Sequence, residues 1–288
     1  MDWQQLLLNP DKANLDALAT LAICAPLVLV GAFFVWRIIA RMGPSGGALS
    51  MESFFFGVPL ALAGLMLPDL LLYLVYRSSY AASRADFAAQ HGLLQLIVVA
   101  AAIYVLRFHA WEPRASTPRV WTRVQPLQLA RTGGIWLLAT PLIFASIIGA
   151  VAAAQWLGAP IEQQPVLKEL TARRAPAAIA GAYLMAVVGV PLAEEFAFRV
   201  VLFGGLRGLL AGEAKSGPGL WAAFAVSIFL FVLVHGMWRE NMLYLAAPLT
   251  LLSVFLTLIY AHTRSLWPGA LLHALHNGLV LTLQFTLD

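Results

Sequence analysis

Seven residues that can carry a charge interrupt the long apolar runs of this 288-residue chain. Placing such a side chain at the middle of a membrane helix costs about 2.5–3.5 kcal/mol, so it is retained for pairing or for function. The set comprises Asp69, Glu194, Glu195, Arg199, His235, His273 and His276, and Asn277 adds an uncharged amide. Six of the seven follow residue 176, where they could converge on one polar cavity. The last third of the chain is therefore the candidate site of chemistry.

Two adjacent glutamates in this region have different expected partners. Glu195 and Arg199 are four residues apart, so on a helix they can pair and offset each other's desolvation. Glu194 points about 100° away and needs another partner, which makes it a candidate general base. Pro191 removes one backbone hydrogen bond just before the pair. A structural ion pair accounts for Glu195 and Arg199, whereas Glu194 adds cost without an obvious structural return.

The histidines lie near the ends of apolar runs. His235 closes one run, where an isolated histidine would be a capping or interfacial residue. His273 and Asn277 are four residues apart on one helical face, so they can act on one atom or hold two helices together. His276 lies about 60° from His273 on its other side. Asp69 is expected to hydrogen bond at a helix end or between helices.

The composition indicates a protein embedded in lipid. The chain is 61% hydrophobic and 11% charged, whereas roughly a quarter of the residues are charged in an ordinary soluble domain. Its net charge of +4 comes with arginines spread between apolar runs, which favours contact with anionic lipid over nucleic acid. The single cysteine, Cys24, excludes a disulfide framework and a thiolate metal cluster.

A transmembrane helix needs about 20 mostly apolar residues. Continuous apolar runs, rather than alternating ones, predict helices and not barrel strands. We therefore predict an all-α, polytopic membrane bundle of about eight transmembrane helices. The eight runs are Leu18–Trp36, Phe54–Tyr76, Leu93–Phe108, Ile135–Leu157, Ala177–Val201, Leu220–Met237, Met242–Tyr260 and Leu266–Leu287.

The connections suggest how the bundle is oriented and divided. Five arginines separate the third and fourth runs, which predicts a cytoplasmic loop there. They are Arg107, Arg114, Arg119, Arg123 and Arg131. We divide the chain into N-terminal transmembrane helices with this loop, 1–176, and a catalytic transmembrane core, 177–288. Straight helices would place His235, late in the sixth run, and His273, early in the eighth, at different depths.

The polar residues of the core form three motifs in series. They are Glu194-Glu195-x-x-x-Arg199, Phe231-x-x-x-His235 and His273-x-x-x-Asn277, the last preceded by the run Tyr260–Pro268. In order, interval and membrane placement this pattern resembles the CPBP family of CAAX-protease and bacteriocin-processing enzymes, also called the ABI family. The resemblance covers roughly residues 177–287.

The resemblance implies hydrolysis of a peptide bond in a membrane-associated or lipidated protein substrate. By this resemblance Glu194 activates water with help from His235. His273 and Asn277 stabilise the oxyanion. Glu195 and Arg199 hold the geometry of the site, with Phe231 as a further supporting residue. Amide hydrolysis requires such a base and such donors.

Other interpretations of these residues remain open. Two histidines and a glutamate would make a plausible zinc triad, but the chain has no His-Glu-x-x-His motif, and we favour a glutamate mechanism without a cofactor. A proton-coupled transporter and a non-catalytic scaffold or immunity-type protein are the alternative functions. The expected partners are the lipid bilayer and a membrane-associated protein or peptide, without nucleic acid. The composition suits a bacterial inner membrane.

Overall fold

Helices make up the regular structure in the described part of the chain, as the sequence predicts. The computed structural model describes residues 22–23, 26, 28–35, 37, 51–76, 87–109, 122, 124–159, 161, 175–210, 217–237 and 244–287. We number the long helices α1 to α7. They are α1 Met51–Tyr76, α2 Phe87–His109, α3 Pro126–Trp156, α4 Pro176–Leu210, α5 Pro218–Val232 with its extension Leu233–Met237, α6 Ala246–Thr263 and α7 Leu266–Leu287.

Six of these helices, α1 to α6, are long and apolar enough to cross a membrane. This confirms the predicted polytopic helical bundle. Helix α7 has 22 residues but does not belong to that group of six. Most of the predicted run Leu18–Trp36 lies outside the described residues, and residues 28–35 within it are helical.

Several predicted boundaries were wrong because apolar runs understate helix length. Helix α3 begins at Pro126, nine residues before the predicted Ile135, because its first turns carry polar side chains. Pro126 suits a helix start, since a proline there sacrifices no backbone bond. Arg131 therefore lies in α3, and Arg107 lies in α2. The other three loop arginines lie outside the described residues.

Helix α4 is the centre of the bundle and packs against α1, α2, α5, α6 and α7. Glycines bring the α2 and α4 backbones close together. A side-chain carbon at Gly92 would lie 2.8 Å from the Met185 nitrogen, and one at Gly181 would lie 2.8 Å from the Ala89 nitrogen. Small residues at such contacts are typical of membrane helices. The polar residues of α4 are thus surrounded by protein.

The turn between α6 and α7 is buried. Arg264 adopts a left-handed conformation, with φ 53° and ψ 28°, and Ser265 is 1% exposed. Arg207 of α4 and Arg264 both donate hydrogen bonds to the Ala261 carbonyl, at 3.4 and 3.1 Å. Trp267 Nε1 donates to the Thr122 carbonyl at 2.8 Å. Helix α7 therefore starts inside the protein.

Candidate active site

Glu194 lies where the helical geometry of α4 changes. Helix α4 is α-helical over Val190–Glu194 and π-helical over Leu184–Gly189 and Glu195–Phe203. Short π-helical segments are rare and frequently occur at functional sites. The second segment carries Glu195 and Arg199, each 1% exposed. The two predicted carboxylates thus lie at the start of a locally widened turn in the middle of the bundle.

Both predicted catalytic histidines contact one carboxylate oxygen of Glu194. Its Oε2 atom lies 3.5 Å from His235 Nε2 and 3.7 Å from His273 Nε2. That oxygen is buried and accepts no hydrogen bond from the described residues. The depth difference expected for straight helices is not observed. A side chain from each of three helices therefore meets at one point.

The hydrogen-bond partner of His235 Nδ1 determines which ring nitrogen carries a hydrogen. His235 Nδ1 lies 2.6 Å from the Phe231 carbonyl oxygen. Because a carbonyl can only accept, Nδ1 carries a hydrogen and donates it. In a neutral ring Nε2 then presents a lone pair to the Glu194 carboxylate, which is repulsive. One proton placed between Glu194 Oε2 and His235 Nε2 turns this repulsion into a hydrogen bond, so the pair favours taking up a proton.

Glu195 holds His273 from the opposite side. Its Oε1 atom lies 3.1 Å from His273 Nδ1 and 3.2 Å from Arg199 Nη1, so the predicted Glu195–Arg199 pair is confirmed. Because a carboxylate accepts, His273 Nδ1 donates to it and leaves Nε2 facing Glu194. This arrangement fixes the ring orientation of His273.

Two further contacts hold Arg199 and Glu195. Arg199 Nη2 donates to Ser253 Oγ at 3.2 Å, and its guanidinium carbon lies 4.2 Å from the centre of the Phe231 ring. Gly269 makes room for the carboxylate, because a side-chain carbon there would lie 2.7 Å from Glu195 Oε2. Phe231 therefore contributes a ring to Arg199 and a carbonyl to His235, which the sequence did not reveal.

Asn277 reaches α4 two turns before Glu194. Its Nδ2 atom donates to the Ala186 carbonyl at 2.9 Å. The backbone of this segment bonds five residues back, since the Val190 N–H donates to the Met185 carbonyl. In that register the next donor, to Ala186, would be Pro191, which has no N–H. The bond that Pro191 removes is thus replaced by the Asn277 amide, which fixes its orientation.

The remaining predicted polar residues lie elsewhere. Asp69 Oδ1 lies 3.1 Å from His91 Nε2, so the expected interhelical contact, between α1 and α2, is confirmed. His91 was missed because the predicted third run began at Leu93. His276 is buried, and its Nδ1 atom has no hydrogen-bond partner in the described structure.

The described residues contain no group of three or more His, Cys, Asp or Glu side chains that could hold a metal ion.

Comparison with known proteins identifies the segment that carries this site. Residues 176–279 match the family described as Rce1-like, type II CAAX prenyl endopeptidase. No curated protein and no solved structure matched the chain. The matched segment contains Glu194, His235, His273 and Asn277, and it agrees with the resemblance inferred from their motifs. Residues 176–279 of this chain, the segment that carries the site, are thus similar to the Rce1-like CAAX protease family.

Proposed function

We propose that this integral membrane protein is an endopeptidase that hydrolyses a peptide bond in a membrane-associated or lipidated protein. One observation carries the proposal beyond the family match. A buried carboxylate oxygen of Glu194 lies within 3.7 Å of two imidazole nitrogens whose other nitrogens are already engaged. This arrangement suits a base with an adjacent proton carrier. We further propose that the membrane is a bacterial inner membrane.

In the proposed reaction Glu194 removes a proton from water. The water oxygen forms a bond to the peptide carbonyl carbon, and the carbonyl oxygen becomes an oxyanion. The proton passes to His235 Nε2, which faces Glu194 Oε2 at 3.5 Å. When the C–N bond breaks, this proton is delivered to the leaving nitrogen. The products are an amine terminus and a carboxylic acid terminus, which then loses the second water proton to solvent.

His273 and Asn277 would stabilise the oxyanion. With neutral imidazoles the charges of Glu194, Glu195 and Arg199 sum to −1, and one protonated imidazole brings the cluster to neutrality. Glu195 at 3.1 Å from Nδ1 supports a protonated His273, whose Nε2 hydrogen can then be donated. Asn277 gives one amide hydrogen to Ala186 and has a second to donate. Prearranged donors of this kind typically contribute 10²–10³-fold each, as an order of magnitude.

Peptide hydrolysis by the reconstituted protein tests this function. We expect liposomes containing the protein to cleave a peptide that ends in a prenylated Cys-a-a-X motif, releasing the residues after the cysteine. The prenyl chain should matter because burying it concentrates the peptide at the membrane. Mass spectrometry of the products identifies the cleaved bond. An unprenylated peptide and an unmodified membrane-spanning peptide complete the panel, and absence of a new terminus in all three would refute the proposal.

We also propose that hydrolysis requires no metal ion. The Glu194 cluster offers a base and a proton carrier by itself. Incubation with 1,10-phenanthroline is therefore expected to leave the cleavage rate within about twofold of the untreated protein. A zinc-dependent peptidase in the same liposomes serves as the positive control for chelation. Loss of cleavage followed by recovery on adding zinc would overturn this proposal.

A further inference from the structure

Four polar side chains follow one another along α3 at intervals of four residues. They are Gln128, Thr132, Trp136 and Thr140. Residues at this spacing line one side of a helix. Gln128 is 6% exposed and Thr132 is fully buried, on a helix that packs against α6 and α7. Gln128 and Thr132 are therefore inside the protein, and Trp136 and Thr140 are half-buried.

Three of these residues carry a buried polar atom that has no hydrogen-bond partner among the described residues. The atoms are Gln128 Oε1, Trp136 Nε1 and Thr140 Oγ1. Thr132 Oγ1 donates only to the backbone, at the Gln128 carbonyl. Buried polar atoms in folded proteins are almost always paired with protein or with ordered water. Successive members of the row are about 6 Å apart along the axis, which is roughly the spacing that one intervening water bridges.

His276 lies on α7, which packs against α3. Its Nδ1 atom is also buried and without a partner in the described structure. Helices α3 and α7 start at the same end of the bundle, because Trp267 hydrogen bonds to the Thr122 carbonyl. His276 is about 15 Å along α7 from Leu266, and Trp136 is about 15 Å along α3 from Pro126.

Packing and position connect His276 and Trp136 to the active site. Leu272, one turn before His276, belongs to the same packed cluster as Ile135 and Ala139 of α3. On its other side His276 is three residues from His273, a member of the Glu194 cluster. The other end of the row, Gln128, lies in the first turn of α3, whose 31 residues span about 46 Å, more than the roughly 30 Å hydrocarbon core.

We propose that Gln128, Thr132, Trp136, Thr140 and His276 form a polar seam that conducts water from the membrane surface to the active site. Peptide hydrolysis consumes one water per bond, and lipid surrounding the bundle does not supply it. The seam offers donors and acceptors from the start of α3 to the neighbour of His273. This inference rests on the proposed function for its purpose, but the hydration of the seam is independent of catalysis.

Cysteine accessibility tests the hydration directly. In a Cys24→Ala background, which removes the single native cysteine, Thr140→Cys is compared with Leu138→Cys. Leu138 lies two residues away on α3 and is 49% exposed, so in a membrane helix it is the comparison for a lipid-facing position. A water-soluble, membrane-impermeant methanethiosulfonate reacts with thiolates, which form only where water reaches the sulfur. We expect Thr140→Cys to react at least tenfold faster, and equal rates would overturn the proposal.

Kinetics test whether the water of the seam is used. We expect the double variant Trp136→Phe/Thr140→Val to lower kcat about three- to tenfold, with KM within twofold. Ser146→Ala, which removes a hydroxyl farther along α3 that already donates to the Ile143 carbonyl, should leave both constants unchanged. An unchanged kcat in the double variant would refute the seam as the water route. If no peptide is cleaved by the wild-type protein, fast labelling of Thr140→Cys would still support a hydrated seam and the proposed function alone would fail.

Discussion

Replacing Glu194 with glutamine should lower kcat for peptide hydrolysis by roughly 10²–10⁴-fold. The amide keeps the shape of the side chain but cannot take a proton from water. It also cannot share a proton with His235 Nε2, which lies 3.5 Å from the carboxylate oxygen. Quantitative mass spectrometry of the peptide products gives the rate, and binding of uncleaved peptide should be largely retained.

Asp69→Asn is the matched control for this substitution. Asp69 is also a carboxylate in a predicted span and also contacts a histidine, His91, at 3.1 Å. It lies between α1 and α2, however, and not in the Glu194 cluster. We expect Asp69→Asn to cleave the peptide at a rate within about threefold of the wild type. Equal product from the wild type and Glu194→Gln would instead favour a scaffold without catalysis, or a different catalytic base.

Replacing Arg199 with methionine should lower the free energy of unfolding by about 3–5 kcal/mol, because it leaves the buried Glu195 charge uncompensated. The guanidinium is 1% exposed and contacts Glu195, Ser253 and the Phe231 ring. Methionine can refill much of the volume, so lost charge rather than a cavity would dominate. Denaturant unfolding of the detergent-solubilised protein measures the change.

Two further variants make this result specific. Arg131→Met removes an exposed arginine of α3 and should change the stability by no more than about 0.5 kcal/mol. The double variant Glu195→Gln/Arg199→Met removes both charges while keeping an acceptor for His273 Nδ1. It should therefore be more stable than Arg199→Met alone. If Arg199→Met lowers the free energy of unfolding no more than Arg131→Met does, the ion pair does not stabilise the fold.

The adjacent acids of α4 are expected to perform different tasks because their surroundings differ. Glu195 contacts a guanidinium and an imidazole N–H, so its charge is neutralised in place. Glu194 Oε2 faces two imidazole nitrogens and accepts no hydrogen bond from the described residues. The Glu194 oxygen that faces both rings can bind and activate water between them, whereas the contacts of Glu195 Oε1 orient His273 and Arg199. This contrast supports the proposed division into a base and a positioning residue.

The amino-acid sequence alone determined the features that depend on composition and on contacts within one helix. The apolar runs predict a membrane helix bundle because a continuous run of about 20 such residues is stable only as a helix across lipid. The Glu195–Arg199 pair follows from the geometry of residues four apart. The serial motifs resemble those of the CPBP family, and each one places a costly polar group in a different span.

Contacts between helices were decided only by the tertiary structure. The meeting of His235 and His273 at Glu194 depends on the relative depth of three helices, which apolar runs do not encode. The bond from Asn277 to Ala186 depends on a π-helical register that leaves one carbonyl without a backbone donor. The Asp69–His91 pair and the buried polar atoms of α3 depend on which faces pack together. Sequence spacing specifies positions along one helix, whereas the packing of side chains between helices sets their distances in space.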